Sequence, residues 1–197
     1  MYIINDTYFQ SPKYVIPNLE ESDSKAFAEL ERLIDNTCRL FLQTILTDAE
    51  IVDFETHLVA GMFPIVTTGI PEKWIDLVNG KDDWKGLIQT NGTAKTSLLV
   101  DLVYYNWLVE NVSYMTGFGD AKANPKGADN VNPTQRIVNT WNDFLFLYQD
   151  FSTSNYLYNG INSQETFSNS QSLISFLKLN FVEKNRPIYE YKNQLGL

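Results

Sequence analysis

Few residues in this chain are of the types that do chemistry, and their spacing is unfavourable. One histidine, His57, and one cysteine, Cys38, stand among 24 acidic and 15 basic residues in a chain of 197. Nucleophilic catalysis of the Ser–His–Asp or Cys–His kind needs a base framed by a nucleophile and by an orienting carboxylate. His57 follows Glu55 by two positions near the end of a helical run, and nothing frames it as a base. A helix-end histidine is the simpler reading. Cys38 falls on the apolar repeat of a helix and reads as a small core residue, and a lone cysteine excludes an internal disulfide. One His and one Cys are too few for a structural zinc site. No Glu-x-x-His pair or EF-hand loop spaces the carboxylates for a cation. The expectation is a chain with no catalytic residue, no metal and no cofactor: not an enzyme.

The remaining signals are weaker. Gly117-Phe118-Gly119 follows a helix rather than a strand, which removes the context a dinucleotide loop requires, and no Gly-Lys-Ser/Thr phosphate loop is present. Lys122 and Lys126 read as solvated loop lysines able to meet an acidic partner. Trp74, Trp84, Trp107 and Trp141 all sit in apolar contexts and read as core rather than as base- or sugar-stacking platforms. Net charge is −9, and between Asn18 and Ala60 ten acidic residues face three basic ones. Such a helical region reads as a solvated face, and it repels phosphate, which disfavours specific DNA or RNA binding. The most apolar stretch, Ser97–Met115, is interrupted by Asp101, Asn106, Glu110 and Asn111, which are costly in hydrocarbon, so no membrane span is expected. The N-terminus lacks a basic region followed by an apolar run. A soluble, non-exported chain is expected, with no glycan at Asn5, Asn91 or Asn111.

The elements that must position these residues are mainly helical. From Ser22, the residues Phe27, Leu30, Ile34, Cys38, Phe41 and Ile45 recur at steps of three and four, which predicts a helix of about six turns with one buried stripe. Thr47-Asp48-Ala49-Glu50 is a capping box, so a second helix starts there, carrying Ile51, Val52, Phe54, Leu58 and Val59. A tight corner near Leu46 makes the pair an αα-hairpin. Gly61–Gly69 reads as loop or short strand. A short helix follows with Pro71 at its first position, stopping near Gly80. Asp82–Gly92 reads as a turn-rich connection anchored by Trp84, Leu87 and Ile88.

Ser97–Met115 is apolar nearly all round and predicts a helix buried on most sides. The polar segment Thr116–Pro133 holds too many Gly and Pro breakers for regular structure. Asn132 as N-cap, Pro133 at the first helical position and Gln135 closing a capping box then start a helix with Ile137, Val138, Trp141, Leu145 and Tyr148 at helical spacing. These two helices form a stem that presents the long loop. Residues 1–21 and the end of the chain are extended, Pro-broken and aromatic. The fold class expected is a mainly α helical bundle with a long inter-helix loop and extended N- and C-terminal arms. Residues 1–197 form one domain, with an arm at 1–21, a helical body at 22–151 and a C-terminal segment and tail at 152–197. Apolar arms need a surface to dock on, and neighbouring subunits are the natural supplier, so a multi-subunit assembly is expected.

The order of landmarks resembles a family of head–tail connector (neck ring or head-completion) proteins of tailed phages and prophages of gut bacteria, crAss-like phages among them. The matching pieces are Glu29–Leu46, the PEKWIDLVNG segment Pro71–Gly80, VYYNWL at Val103–Leu108, the TGFGDAKANPKGADNV loop, the QRIVNTWNDFLFLY helix with its Trp141-Asn142 pair, and the closing NQLGL. Ser170–Phe181 departs from the pattern by being more helical and polar. The resemblance implies a structural virion protein, made in the host cytoplasm, that forms a twelvefold ring in the neck and joins the portal protein to the next neck or tail ring. DNA passes through the lumen without being specifically bound. Contact residues expected for such a part are Phe118, Asp120, Lys122 and Asn124 in the loop, and Ile188, Tyr189, Tyr191, Leu195 and Leu197 in the tail. The alternative from another class is a non-enzymatic helical binding or assembly factor, terminase-like or chaperone-like. Basic residues clustered on a helix-turn-helix would mark that alternative, and the helices here are acidic.

Overall fold

A computed structural model describes residues 3–10, 13–14, 16, 19, 25–64, 67–91, 94–116, 119–122, 133–149 and 172–192. The first amphipathic repeat forms α1 (Lys25–Ile45), which buries Leu30, Leu33, Ile34, Cys38, Phe41, Leu42 and Ile45 along one stripe. The chain turns at Leu46, and Thr47 opens α2 (Asp48–Thr56) through the capping box that its sequence announces. The Thr47 N–H donates to Glu50 Oε2 at 2.8 Å and the Thr47 hydroxyl accepts from the Glu50 N–H at 3.4 Å. Helix α2 is shorter than its apolar pattern suggests. Leu58 and Val59 lie beyond it, because Ala60 and Gly61 adopt positive φ and turn Val59 back to bridge Met62.

Helix α3 (Glu72–Asn79) is preceded by Pro71 at the N-cap, one place earlier than expected. A tight return follows, in which the Trp84 indole N–H donates to the Leu77 carbonyl at 3.1 Å. Gly86, at φ +88°, lets the backbones meet so closely that an added Cβ would lie 2.5 Å from the Val78 carbonyl oxygen. The expected turn-rich connection then ends in a short hairpin, β1 (Gln89–Asn91) with β2 (Ala94–Thr96). Ser97 accepts the Val100 N–H at 3.1 Å and starts α4 (Leu98–Val112), which stops three residues short of the expected end. A second antiparallel hairpin takes over: β3 (Ser113–Thr116) replaces the last three residues of the expected helix, and its partner β4 (Gly119–Lys122) lies inside the segment read as irregular loop. Local strand pairing at the loop's entrance overrides its breaker content. Helix α5 (Pro133–Tyr148) returns along α4, and α6 (Leu173–Asn180) closes the helical set.

The architecture is mainly α with two short hairpins. Helix α4 packs most extensively on α5 and next on α1, so it is the central element. Its Leu98, Leu99, Val100, Val103 and Tyr104 are fully or almost fully buried. Each apolar side chain of that size removed from water contributes about 1.5–3 kcal/mol before the entropy of ordering is counted. The same apolar cluster runs from Ile3 to Leu177. It includes Ile3, Ile4, Tyr8, Phe9, Tyr14 and Ile16 of the N-terminal arm, all buried by this chain itself. The expectation that the arms need a neighbour for burial is therefore corrected for the described apolar residues of the N-terminal arm, whereas Ile188 in the C-terminal segment stays exposed. The helical body is large enough to cover the N-terminal ones.

Candidate interaction site: a clamp for the C-terminal segment

Asn142 on helix α5 and Gln149, the residue that follows its last turn and still donates its N–H to the Leu145 carbonyl at 3.0 Å, place two side-chain amides seven positions apart on the side that faces residues 187–192. Gln149 Nε2 donates to the Tyr189 carbonyl at 2.8 Å, and the Tyr189 N–H donates back to Gln149 Oε1 at 3.0 Å. Asn142 repeats the arrangement with Lys192, donating to its carbonyl at 3.0 Å and accepting its N–H at 3.1 Å. Between and beside them the Trp141 indole N–H donates to the Glu190 carbonyl and the Tyr148 hydroxyl to the Pro187 carbonyl, both at 2.9 Å. Every one of these bonds ends on a main-chain atom of the tail.

The spacing has a physical reason. Seven helical residues advance about 10.5 Å, and three residues of extended chain span up to about 10–11 Å. Amides seven apart on the helix thus meet peptide groups three apart on the strap, which runs antiparallel to α5. Pro187 suits such a segment, since it has no N–H to satisfy and its φ is fixed. An amide side chain carries a donor and an acceptor on separate atoms, so it can donate to a carbonyl and accept from an N–H of the same residue at once.

Aromatic rings line the clamp. The Tyr189 ring lies 5.6 Å from Trp141 edge-on, 6.3 Å from Phe144 and 5.4 Å from Tyr148. The Lys192 ammonium donates to the Tyr105 hydroxyl at 2.6 Å and sits 4.9 Å and 5.3 Å from the Tyr105 and Trp141 ring centres, within cation–π range. Burial raises the Tyr148 phenol above its ordinary value, and the neighbouring Tyr189 adds to this, so the hydroxyl stays a donor. Burial likewise raises Tyr189.

A second anchorage holds residues 182–186. Lys184 donates to the Gln43 and Leu46 carbonyls, and Arg186 Nε donates to the Ile45 carbonyl at 2.9 Å. These acceptors lie at the C-terminal end of α1, where carbonyls lack helical partners and the helix dipole favours cations. The Val182 N–H donates to Glu50 Oε1 at 3.1 Å. Burial pulls the Glu50 carboxyl upward, but the N–H and hydroxyl of Thr47 and the Val182 N–H outweigh it and leave the group below the usual range. The α2 capping box therefore also holds the strap.

The N-terminal arm is also locked on α4. Asp101 Oδ1 accepts from Lys13 Nζ and from the Tyr14 hydroxyl, each at 2.8 Å, while Lys13 also reaches Asp143 at 3.0 Å. Arg136 donates to the Lys13 carbonyl at 3.3 Å and stands over the Tyr104 ring. Asp101 is almost wholly buried, and that burial raises its carboxyl above the ordinary range against the pull of Lys13 and Tyr14. On Lys13 burial acts downward, but Asp101 and then Asp143 prevail and raise its ammonium.

No family model, no curated protein and no solved structure matches this chain. The clamp must therefore be read from its own geometry. An open groove of about 690 Å³ runs beside it between α1, α4 and α5, with Leu40, Phe41, Asn106, Trp141, Phe144 and Tyr189 among its walls. Arg32 and Glu110, also in the lining, pair across α1 and α4 at 2.6 Å.

The expected contact residues fall in three groups. Tyr189 and Tyr191 are half-buried against this chain's own core, and Ile188 points outward at 83% exposure. Asp120 and Lys122 lie on β4, in register with Met115 and Ser113. Phe118, Asn124, Leu195 and Leu197 lie outside the described residues, as does Lys126. Trp74 and Trp84 are core as expected, but Trp141 is a working wall of the clamp. His57 is the C-cap of α2, with Nε2 3.5 Å from Asp53 Oδ1. Asp53 is otherwise occupied by Lys73 at 3.0 Å and by the Trp74 indole N–H at 3.1 Å, and these bonds, Lys73 first, hold its carboxyl below the usual range. Burial pushes the Cys38 thiol up to about 12, which keeps it an inert thiol. Among the described residues no cluster of His, Cys, Asp and Glu is arranged to hold a metal, and no helix is long and apolar enough to cross a membrane.

Sequence reasoning missed the amide pair and the Asp101 lock. The second had a signal, since a lone Asp inside an apolar helix needs a partner to be buried at all. Asn142 and Gln149 have none, because surface amides on a helix are common and their meaning depends on what runs beside them.

Proposed function

We propose that this chain is a structural virion protein, a head–tail connector subunit that forms a ring in the neck of a tailed phage, joins portal to tail and lets DNA pass. The observation that carries the reading from the structure is the strap. The described residues of both terminal segments are fastened along a helical body by specific side-chain contacts, which is what a load-transmitting adaptor needs. The order of sequence landmarks supports the family, and the acidic residues Glu29, Glu31 and Asp35 on α1 are at least partly exposed, where they can flank a DNA channel without gripping it. Its partners in this reading are eleven further copies, the portal protein and the next ring, and it acts without catalysis. The loop residues Phe118, Asp120, Lys122 and Asn124 are the contacts this reading expects toward one of these partners.

Mixing the purified chain with the portal protein of the same phage and measuring the mass of the product tests this. A stoichiometric ring on the portal is expected. A stable monomer that ignores the portal overturns the reading. A non-enzymatic binding or assembly factor would then be favoured, because an aromatic groove with an amide clamp is a peptide-docking device in its own right.

A further inference from the structure

We infer that the open groove beside the clamp is the seat of this chain's own continuation, residues 193–197, which lie outside the described residues and bring Leu195 and Leu197 to it. The inference goes beyond the connector reading and holds whether or not copies form a ring. Three observations carry it.

The first is direction. The strap enters the clamp at Pro187, beside Tyr148, and leaves it at Lys192, beside Asn142 and Tyr105. It therefore heads toward the N-terminal end of α5. Lys13 joins Asp101 to Asp143, and Tyr105 packs on Trp141, so rising numbers on α4 meet falling numbers on α5. Asn106 donates to Thr37 and Arg32 pairs with Glu110, so the N-terminal half of α1 lies at the same end. The groove extends the same way, from Thr44, Phe144 and Tyr189 to Arg32 and Glu110. A chain that keeps its course past Lys192 runs along the half of the groove that the strap leaves open.

The second is reach. From Tyr105, where Lys192 is tied, to Glu110 is five helical residues, or about 7.5 Å along the axis. Five residues of extended chain span up to about 17 Å, which covers that distance even on a bent path. Residues two apart on an extended segment share a side. Leu195 and Leu197 can thus meet the groove together, with Gly196 between them carrying no side chain.

The third is what the groove lacks. Leu40 in its wall is 59% exposed, and Val109, one turn beyond Tyr105 on α4, is 45% exposed. Such residues cost little singly. Here they stand on the two helices between which the segment runs, and two leucines supply the apolar cover. Asn36 and Asn106 also line the groove, side-chain amides of the kind that hold the strap's peptide groups in the clamp. The groove continues an interface that this chain already makes with its own strap. Leu195 and Leu197, expected as contacts to a partner, are in this account buried by their own subunit.

Nuclear Overhauser effects between methyl groups of the full-length wild-type chain test this. Contacts from the Leu195 and Leu197 methyls to those of Leu40 and Val109 are expected, and isotope-filtered spectra of mixed labelled and unlabelled chains should show them to be intramolecular. Their absence overturns the inference, and so does their appearance between chains only, which would give the groove to a second copy. Leu195→Ser/Leu197→Ser adds a second reading. The Leu40 and Val109 methyl resonances are expected to shift while those of the buried Leu99 and Val103 stay in place. Unmoved Leu40 and Val109 resonances refute the seating. Should Leu99 and Val103 move as well, the variant has lost its core packing and the wild-type contacts decide.

Discussion

Gln149→Ala is the sharpest single perturbation of the clamp. The side chain is buried and makes two hydrogen bonds to one residue, at 2.8 and 3.0 Å. Each such bond contributes a net of about 0.5–1.5 kcal/mol, so losing both weakens the seating of Tyr189 by about 1–3 kcal/mol, or roughly 5- to 150-fold in the local opening equilibrium. The loss is local because Asn142, Trp141 and the α1 anchorage still hold the strap. Amide hydrogen exchange reads it directly, since the Tyr189 N–H has Gln149 Oε1 as its acceptor. Protection at Tyr189 is expected to fall by that factor while the amides of α4 keep theirs. Unchanged protection at Tyr189 would refute the clamp. A uniform loss across α4 and α5 would equally refute it, since it would make Gln149 a general core residue instead of a strap holder.

Four further outcomes follow from the same contacts. Lys13→Met leaves the buried Asp101 carboxylate with Tyr14 as its hydroxyl donor and costs about 1–3 kcal/mol, below the range for fully buried pairs because Lys13 is 43% exposed. Asp101 already has a raised carboxyl, and losing Lys13 raises it further, so protonation relieves the defect; denaturant unfolding is expected to show a larger penalty at pH 8 than at pH 4.5. Glu50 behaves oppositely: its lowered carboxyl contributes stability that is present above the unfolded value and lost as pH falls through the folded one, so the Glu50→Gln penalty shrinks in acid, measured the same way. Thr47→Ala removes the α2 cap at a cost of about 0.5–2 kcal/mol in thermal unfolding. Gly86→Ala forces a side chain into positive φ and against the Val78 carbonyl, costing about 1–3 kcal/mol or more, with the loss of exchange protection centred on α3 and its return.

Much of the helical frame was legible because it rests on local rules. The apolar stripe of α1, the Thr47–Glu50 capping box and the start of α5 at Pro133 are each set by a few neighbouring residues. The two hairpins were not legible. Gln89–Thr96 and Ser113–Lys122 are short, polar and Gly-containing, and their pairing outweighs weak strand propensity. The fate of the N-terminal arm was misjudged for a different reason. Whether Ile3, Tyr8 and Tyr14 need a neighbour depends on how much surface α1 and α4 leave open, and that is a property of packing that no local pattern carries. The clamp itself lay beyond reach because Asn142 and Tyr189 are distant in sequence, and each is ordinary until the other is placed beside it.

The central claim is that copies of this chain assemble as a ring on a portal. Electron microscopy of the portal with and without the chain, averaged for rotational symmetry, tests it most directly. The account predicts a coaxial ring of added density with twelve repeats in contact with the portal. Portal particles identical with and without the chain would contradict it.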